Sequence, residues 1–209
     1  MAPSGALYTF SIGANDLFGI LQAGLSLPAS EVLAAGAAQI VANEAGILQS
    51  EGAKDLVLFD VPDLGVTPEI TMKGPLASMA ASELSAYFDR QVLSDLAPVE
   101  AAGLTVFDLD TYALIDEAVN DPSQFNFSNV TDPCTGTPAC YTLPEAQQNK
   151  YLFWDDVHPT AAGHLLVADD ALRAMGLPVP EPSTWAMMIL GLAGLGALGA
   201  RKGRAAAAG

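Results

Sequence analysis

Short apolar runs and longer amphipathic segments alternate along the first half of the chain. Three runs rich in β-branched and aromatic residues have the length of buried strands, and they span residues 6–12, 56–61 and 104–109. Two longer segments carry apolar residues at helical spacing, and they span residues 30–51 and 76–97. Strands that alternate with helices of this length predict crossover connections, and so a parallel α/β sheet covered by helices on both faces.

The pattern changes after the third predicted strand. Residues 120–150 are rich in Asn, Pro, Thr and Gly, and loops of this length are often functional in compact domains. A last helix is predicted over residues 161–175, with Thr160 as its N-cap. The turn that enters this helix lies at a sheet edge, where α/β proteins place their chemistry, and it contains the sequence FWDDVHPTAAGH, residues 153–164.

Asp155 and His158 are the first candidate site residues. A carboxylate three residues before a histidine in a tight turn can accept the proton of ring Nδ1, which fixes the tautomer and leaves Nε2 free as a base. A carboxylate near the start of a helix is also favourable without any catalysis, because it interacts with the positive end of the helix dipole. The spacing alone does not decide between a catalytic pair and a capping cluster.

A second candidate follows the first predicted strand. The sequence SIGANDL, residues 11–17, places Asn15 on the turn after that strand, where its side-chain amide can donate a hydrogen bond to an oxyanion. Gly-x-Asn-Asp is equally suitable chemistry for an ordinary turn. The Gly-x-Asn-Asp motif therefore indicates an oxyanion donor only in combination with the histidine turn downstream.

Together, the two motifs resemble the GDSL esterase/lipase family, also called SGNH hydrolases. That family has a Gly-x-Asn-Asp block and a final Asp-x-x-His block, which GAND at 13–16 and DDVH at 155–158 match in the same order. The sequence DVPDLGVTP, residues 60–68, is similar to the family's segment after its fourth strand. The resemblance covers about residues 6–176.

The resemblance implies an ester hydrolase with a three-layer α/β/α, flavodoxin-like fold. It gives Asn15 the role of oxyanion donor, His158 that of general base and Asp155 that of the carboxylate that orients the base. The implied substrates are carboxylic esters of lipids or acylated carbohydrates, and no cofactor is implied. A metal site that adds Asp156 and His164 to this pair is a weak alternative, because no two histidines are spaced i, i+4.

The family's nucleophile has no matching residue in this chain. It sits in a Gly-Asp-Ser block after the family's first strand, whereas Ser4 precedes the first predicted strand and Ser11 lies inside it. The chain is therefore expected to be an N-terminally truncated enzyme, inactive by itself, whose strands are equivalent to strands 3, 4 and 5 in the family order 2-1-3-4-5. The strand at 6–12 would then form an open, apolar sheet edge.

The charge distribution excludes one class of partner and suggests another. The chain carries a formal charge of −16, and all 24 acidic residues lie before Trp185. An acidic body of this kind repels phosphate backbones, so nucleic acid is not expected as a partner. The last nine residues instead carry cations, which are Arg201, Lys202 and Arg204. A basic end that follows an apolar run is typical of a membrane segment.

The C-terminal sequence resembles a PEP-CTERM sorting signal. A Pro-rich linker with the Pro-Glu-Pro motif, 177–184, precedes a predicted transmembrane helix and basic tail, 185–209. The uncharged run 185–200 would span about 24 Å as a helix, slightly short of the ~30 Å hydrocarbon core, and a buried C-terminal helix is the alternative. The resemblance implies an exported bacterial protein that is anchored in the membrane, processed by exosortase-type sorting machinery and then located in the cell envelope or outside the cell.

Two cysteines, Cys134 and Cys140, lie in the 120–150 loop. An oxidising compartment predicts a disulfide between them, with two free thiols as the alternative.

The two resemblances together predict the domain organisation. Residues 1–176 are expected to form a partial hydrolase domain, followed by the linker and the anchor. A competing hypothesis is a non-catalytic envelope or matrix protein defined by its sorting tail.

Overall fold

Three parallel strands form the sheet of the computed structural model, which describes residues 1–136 and 138–178. They are β1 (Leu7–Phe10), β2 (Asp55–Phe59) and β3 (Thr105–Leu109), in the spatial order β1-β2-β3. Leu7 lies opposite Asp55, and Asp55 lies opposite Thr105, so all three strands start at the same level of the sheet. The predicted parallel α/β sheet is confirmed, with strands shorter than their sequence patterns suggested.

Helices connect the strands and follow the last one. Their bounds are α1 (Ala14–Gln22), α2 (Leu27–Ser50), α3 (Pro68–Thr71), α4 (Pro75–Ala101), α5 (Thr111–Asn120), α6 (Pro138–Tyr141), α7 (Glu145–Gln148) and α8 (Ala161–Ala174). A one-turn 3₁₀ helix, Leu64–Val66, precedes α3. The three predicted helices correspond to α2, α4 and α8. Thr160 caps α8, since its Oγ1 accepts a hydrogen bond from the Gly163 amide at 3.4 Å.

The helices α2 and α4 pack against one face of the sheet. Because alternate residues of a strand face opposite sides, Leu56, Leu58 and Val106 point together to this face and pack in the main hydrophobic core with residues of both helices, such as Phe88. On the other face α8 lies against β3, whereas Leu7 of β1 is 48% exposed within the described part of the chain. The predicted cover on both faces therefore holds for one face and only in part for the other.

The β1 edge of the sheet carries apolar residues. Within the part of the chain that the structure describes, β1 pairs with β2 alone. Leu7 and Ile12, in and just after this strand, are both about half exposed. The expected open apolar edge is therefore present, and such an edge is a template for pairing with a further strand.

The long loop at 120–150 contains the predicted disulfide. Cys134 and Cys140 are bonded to each other and fully buried. The Cys134 amide donates to the Phe153 carbonyl at 3.1 Å, and the Thr135 amide donates to the Trp154 carbonyl at 2.9 Å. The disulfide is confirmed, and the loop that it closes is held against the segment that leads to His158.

Replacement of the disulfide, by Cys134→Ser together with Cys140→Ser, is expected to lower the free energy of unfolding by roughly 2 kcal/mol, since a bond that closes a short loop restricts the unfolded chain modestly. Urea unfolding of the oxidised full chain and of the double variant measures the difference. Amide hydrogen exchange at positions 134 and 135 should also become faster, because their hydrogen bonds to the 153–154 segment lose this support. Equal unfolding midpoints and equal exchange rates would contradict the structural role of the bond.

The predicted membrane anchor is not part of the described structure. Met1–Gly176 make up one compact unit. No helix within residues 1–136 and 138–178 is long and apolar enough to cross a membrane. The linker predicted at 177–184 lies mostly, and the transmembrane helix predicted at 185–209 entirely, outside the described residues.

Candidate active site

The turn before α8 brings Asp155 and His158 into direct contact. The Asp155 carboxylate lies 2.9 Å through Oδ2 and 3.0 Å through Oδ1 from Nδ1 of the His158 ring. The same Oδ1 accepts hydrogen bonds from the backbone amides of Val157 at 2.9 Å and of His158 at 2.6 Å. The Trp154 amide donates to the His158 carbonyl at 2.7 Å and closes the turn. Two backbone donors thus fix the carboxylate in the position from which it holds the ring.

These contacts favour the ionised form of Asp155 and set the tautomer of the His158 ring. Partial burial would by itself raise the pKa of Asp155, but the hydrogen bonds from the backbone amides of His158 and Val157, and from the His158 ring, outweigh it and lower that pKa. The ionised carboxylate accepts the Nδ1 proton, which assigns the Nδ1–H tautomer and leaves the Nε2 lone pair free. The His158 side chain is 72% exposed, so Nε2 is accessible to a reacting group.

Two other elements hold this turn in place. The Glu69 amide, in the first turn of α3, donates to the Asp156 carbonyl at 2.9 Å. On the other side, the Thr160 amide donates to the Leu152 carbonyl and its Oγ1–H donates to the Tyr151 carbonyl, both at 2.8 Å. The turn is therefore fixed between the start of α8 and the segment that follows β2.

Asn15 lies at the same edge of the sheet, in the first turn of α1. Gly13 directly before this helix has a φ of 111°, and a Cβ there would come within 2.5 Å of the Phe88 ring, so only glycine lets α1 start this close to α4. The carboxyl ends of parallel strands meet at one edge, which places Asn15, after β1, on the same edge as the Asp156–Glu69 contact, after β2. The Asn15 side chain is exposed. It makes no hydrogen bond to Asp155, to His158 or to any other residue within 1–136 and 138–178.

Sequence reasoning missed the residues that position α3. Asp63 is 3% exposed; its Oδ1 accepts from the Gly65 amide at 2.7 Å and its Oδ2 accepts from the Ser82 hydroxyl of α4 at 2.9 Å. A Cβ on Gly65 would lie only 2.3 Å from the Ser78 carbonyl oxygen, so the glycine permits this close approach to α4. The segment 60–68 was noted only as a family similarity. Its Asp-x-Gly spacing is the local signal that could have predicted the turn.

A second set of carboxylates, Asp60, Asp89, Asp108 and Asp110, lies near the carboxyl ends of β2 and β3. Burial, and then the neighbouring charges of Asp108 and Asp110, raise the pKa of Asp60 to about 7. Burial, and then the charge of Asp60, raise the pKa of Asp89 to about 8. Asp60 Oδ1 and Asp89 Oδ2 are buried without a hydrogen-bond partner within the described residues. These carboxyls were not identified from the sequence, and the periodicity gives no sign that they meet.

The weak metal alternative gains no support from the geometry. His164 uses its Nδ1 to donate to the Thr160 carbonyl at 3.0 Å, a local contact in the first turn of α8. In the described ranges, 1–136 and 138–178, no three His, Cys, Asp or Glu side chains are arranged to hold a metal ion.

Comparison with protein families gives two matches. The model of GDSL-like lipases/acylhydrolases matches residues 2–171. The model of the PEP-CTERM protein-sorting motif matches residues 178–204. The second match indicates an exported protein that is processed by an exosortase.

Comparison with curated proteins gives relatives in bacteria and plants. An uncharacterized protein of the trpE-trpG intergenic region of Pseudomonas putida is 34% identical over 187 residues, which are 85% of this chain and 30% of that protein. Esterase EstA of Pseudomonas aeruginosa is 31% identical over 85% of this chain and 27% of its own length, and a thermolabile hemolysin of Vibrio parahaemolyticus is 26% identical over 82% and 42%. The chain thus spans less than half the length of these relatives. With a family match across most of its residues, the chain belongs to the GDSL-like lipase/acylhydrolase family.

Proposed function

We propose that this protein takes part in the hydrolysis of carboxylic esters, of lipids or of acylated carbohydrates, with His158 as general base and Asn15 as oxyanion donor. The observation that carries the proposal is the contact of both Asp155 oxygens with His158 Nδ1, in a turn that leaves the ring exposed at the carboxyl edge of the sheet. Family membership and the name of the esterase from Pseudomonas aeruginosa support the same reaction class.

His158, Asp155 and Asn15 each have a separate role in the proposed reaction. His158 Nε2 takes the proton of a serine hydroxyl as that oxygen attacks the ester carbonyl, and the ionised Asp155 stabilises the imidazolium that forms. The Asn15 amide donates to the oxyanion of the tetrahedral intermediate. His158 then gives the proton to the leaving alcohol, and in a second round it activates the water that hydrolyses the acyl-enzyme. We also propose that the complete domain has a three-layer, flavodoxin-like fold, in which two further strands extend the sheet at the open β1 edge.

The serine is proposed to come from a Gly-Asp-Ser block upstream of residue 1. Ser4 and Ser11 flank β1, both are exposed, and neither makes a hydrogen bond to His158 within the described residues. An unpaired apolar edge at β1 is compatible with further strands of the same sheet.

Ester hydrolysis by two forms of the protein tests the proposal. The 209-residue chain is expected to hydrolyse p-nitrophenyl hexanoate no faster than the buffer, because the base has no nucleophile to activate. A form extended upstream by its own reading frame with a strand and the Gly-Asp-Ser block is expected to turn the ester over. Equal rates for the two forms would show that the nucleophile is misassigned. An extended form that folds and still has no activity would favour the non-catalytic envelope protein.

The sorting tail gives the proposed location. We propose that the transmembrane helix predicted within 185–209, which ends in a basic tail, anchors the protein in the membrane until exosortase-type processing, after which the hydrolase domain stays in the envelope or is released outside the cell. The match to the sorting motif and the disulfide, which is typical of an oxidising compartment, support this route.

A further inference from the structure

An apolar pocket opens between the first turns of α2 and α4. It has a volume of about 160 Å³. Its wall is mainly aliphatic and comes from the end of α1, the start of α2, α3 and the start of α4, including Leu21, Leu25, Leu27, Ile70, Ala77 and Ala80. The charged group on its lining, Lys73, is paired with Glu69 at 3.1 Å. The pocket therefore suits an uncharged aliphatic group.

The pocket lies on the same edge of the sheet as the candidate active site. After leaving the carboxyl end of β1 the chain forms α1, and α2 then runs back to the start of β2. After β2 the chain forms α3, and α4 runs back to the start of β3. The first turns of α2 and α4, which form the pocket, are thus at the carboxyl edge, as is the turn that carries His158.

A short helix joins the pocket to the histidine turn. Glu69 of α3 donates its amide to the Asp156 carbonyl at 2.9 Å, two residues before His158. The next residue, Ile70, is 2% exposed and lines the pocket. Since α3 has four residues, it is about 6 Å long. The pocket wall and the contact to the catalytic turn therefore belong to one rigid turn of helix.

We propose that this pocket, named here the acyl pocket, binds the acyl chain of the ester substrate, an inference that rests on the proposed function. An apolar cavity of ~150 Å³ is known to hold a benzene molecule, so the acyl pocket accommodates a chain of about six carbon atoms. Longer chains would extend over exposed apolar side chains of α4: Leu76 and Met79, which directly precede the lining residues Ala77 and Ala80, are 82% and 63% exposed. The preferred substrates are then esters of short to medium aliphatic acids.

Photolabelling of the full chain tests the acyl pocket without any need for turnover. A hexanoate probe with a terminal diazirine should label peptides that contain residues 21–27 and 70–80, mapped by mass spectrometry. Ala80→Leu adds side-chain atoms to the pocket and is expected to reduce this labelling by about fivefold or more. The control Ala97→Leu changes an exposed position in the C-terminal part of the same helix and should leave labelling unchanged.

A second variant acts in the opposite direction, so that misfolding cannot account for both results. Leu21→Ala enlarges the pocket and is expected to increase labelling by a decanoate probe relative to the hexanoate probe. Labels confined to other regions, or labels at the pocket that neither variant changes, would overturn the assignment. The same holds if extension of the chain upstream, or self-association, blocks labelling at the pocket, since another part of the protein would then occupy it.

Turnover by the extended form separates this inference from the proposed function. Ala80→Leu should lower kcat/KM for hexanoyl esters by about tenfold and leave acetyl esters nearly unchanged, because an acetyl group does not reach into the pocket. Activity with an unaltered chain-length profile would refute the acyl pocket and keep the esterase. Specific labelling at the pocket without any ester hydrolysis would refute the esterase and keep an aliphatic binding site.

Discussion

His158→Ala is expected to reduce kcat for ester hydrolysis by about 10⁴-fold to 10⁶-fold in the serine-bearing, extended form of the protein. The variant removes the group that takes the serine proton and returns it to the leaving alcohol, so both chemical steps lose their acid–base catalyst. The ring is 72% exposed and its Nδ1 contacts are confined to Asp155 within the described residues, so its loss should disturb the fold little. Steady-state hydrolysis of p-nitrophenyl hexanoate measures the effect.

The other histidine provides the matched control. His164 also donates through Nδ1, but to the Thr160 carbonyl inside α8, and His164→Ala should change kcat by no more than a few-fold. Asp155→Asn is expected to lose about 10²-fold to 10⁴-fold, because the ring remains but its tautomer and orientation are no longer enforced. A His158→Ala variant with nearly full activity would remove this residue from the mechanism.

The second large effect concerns stability and is expected for Asp89→Asn. Asp89 is 7% exposed, and its Oδ1 accepts a hydrogen bond from the Val61 amide at 2.9 Å, while Oδ2 has no partner within the described residues. Its pKa is raised to about 8 by burial and then by the charge of Asp60. Asparagine keeps the acceptor for the Val61 amide and cannot become charged.

The pH dependence follows from the direction of this shift. The pKa of Asp89 in the folded protein lies above the value of 3.8 in the unfolded chain. Between these values the folded protein retains a proton that the unfolded chain releases, so the free energy of unfolding falls as the pH rises through this window and levels off above pH 8. Asp89→Asn removes that loss. It is expected to raise the free energy of unfolding on the order of 2–4 kcal/mol at pH 8 and to have little effect near pH 4.

Chemical unfolding of both proteins at the two pH values checks this expectation. Asp95→Asn is the matched control, because it removes a carboxylate from the same helix but outside this group. Asp60, Asp108, Asp110 and Arg90 share the surroundings of Asp89, so part of its effect is coupled to them. Identical pH dependence for Asp89→Asn and the unchanged protein would show that Asp89 is ionised in the folded state.

The strands and long helices were predictable because their apolar periodicity is strong. Three features of the fold were not predictable in this way. α1 and α5 have only nine and ten residues, and the GAND motif that opens α1 is equally typical of a turn. The strand predicted at 6–12 pairs only as far as Phe10, opposite Leu58, since strand length depends on the partner as well as on the pattern. α6 and α7 are single turns, too short for any periodicity.

In the candidate site, the local contacts could be predicted from the sequence, whereas the long-range contacts could not. Asp155 and His158 are three residues apart, so their contact follows from the geometry of a single turn. The Asp156–Glu69 bond and the approach of Asp89 to Asp60 join elements far apart in sequence, and they depend on how the strands and helices are placed in space. The pairing of Asn15 with the histidine turn was inferred from the family order of motifs, and its role stays a prediction.

Covalent labelling by a fluorophosphonate is the most direct test of the claim that the Asp155–His158 pair activates a serine. Such probes bond to a serine oxygen that a neighbouring base has activated. In the extended form, mass spectrometry is expected to find the adduct on the serine of the Gly-Asp-Ser block, to lose it in His158→Ala and to keep it in His164→Ala. An adduct that forms equally well without His158, or no adduct in the unchanged protein, would contradict the account.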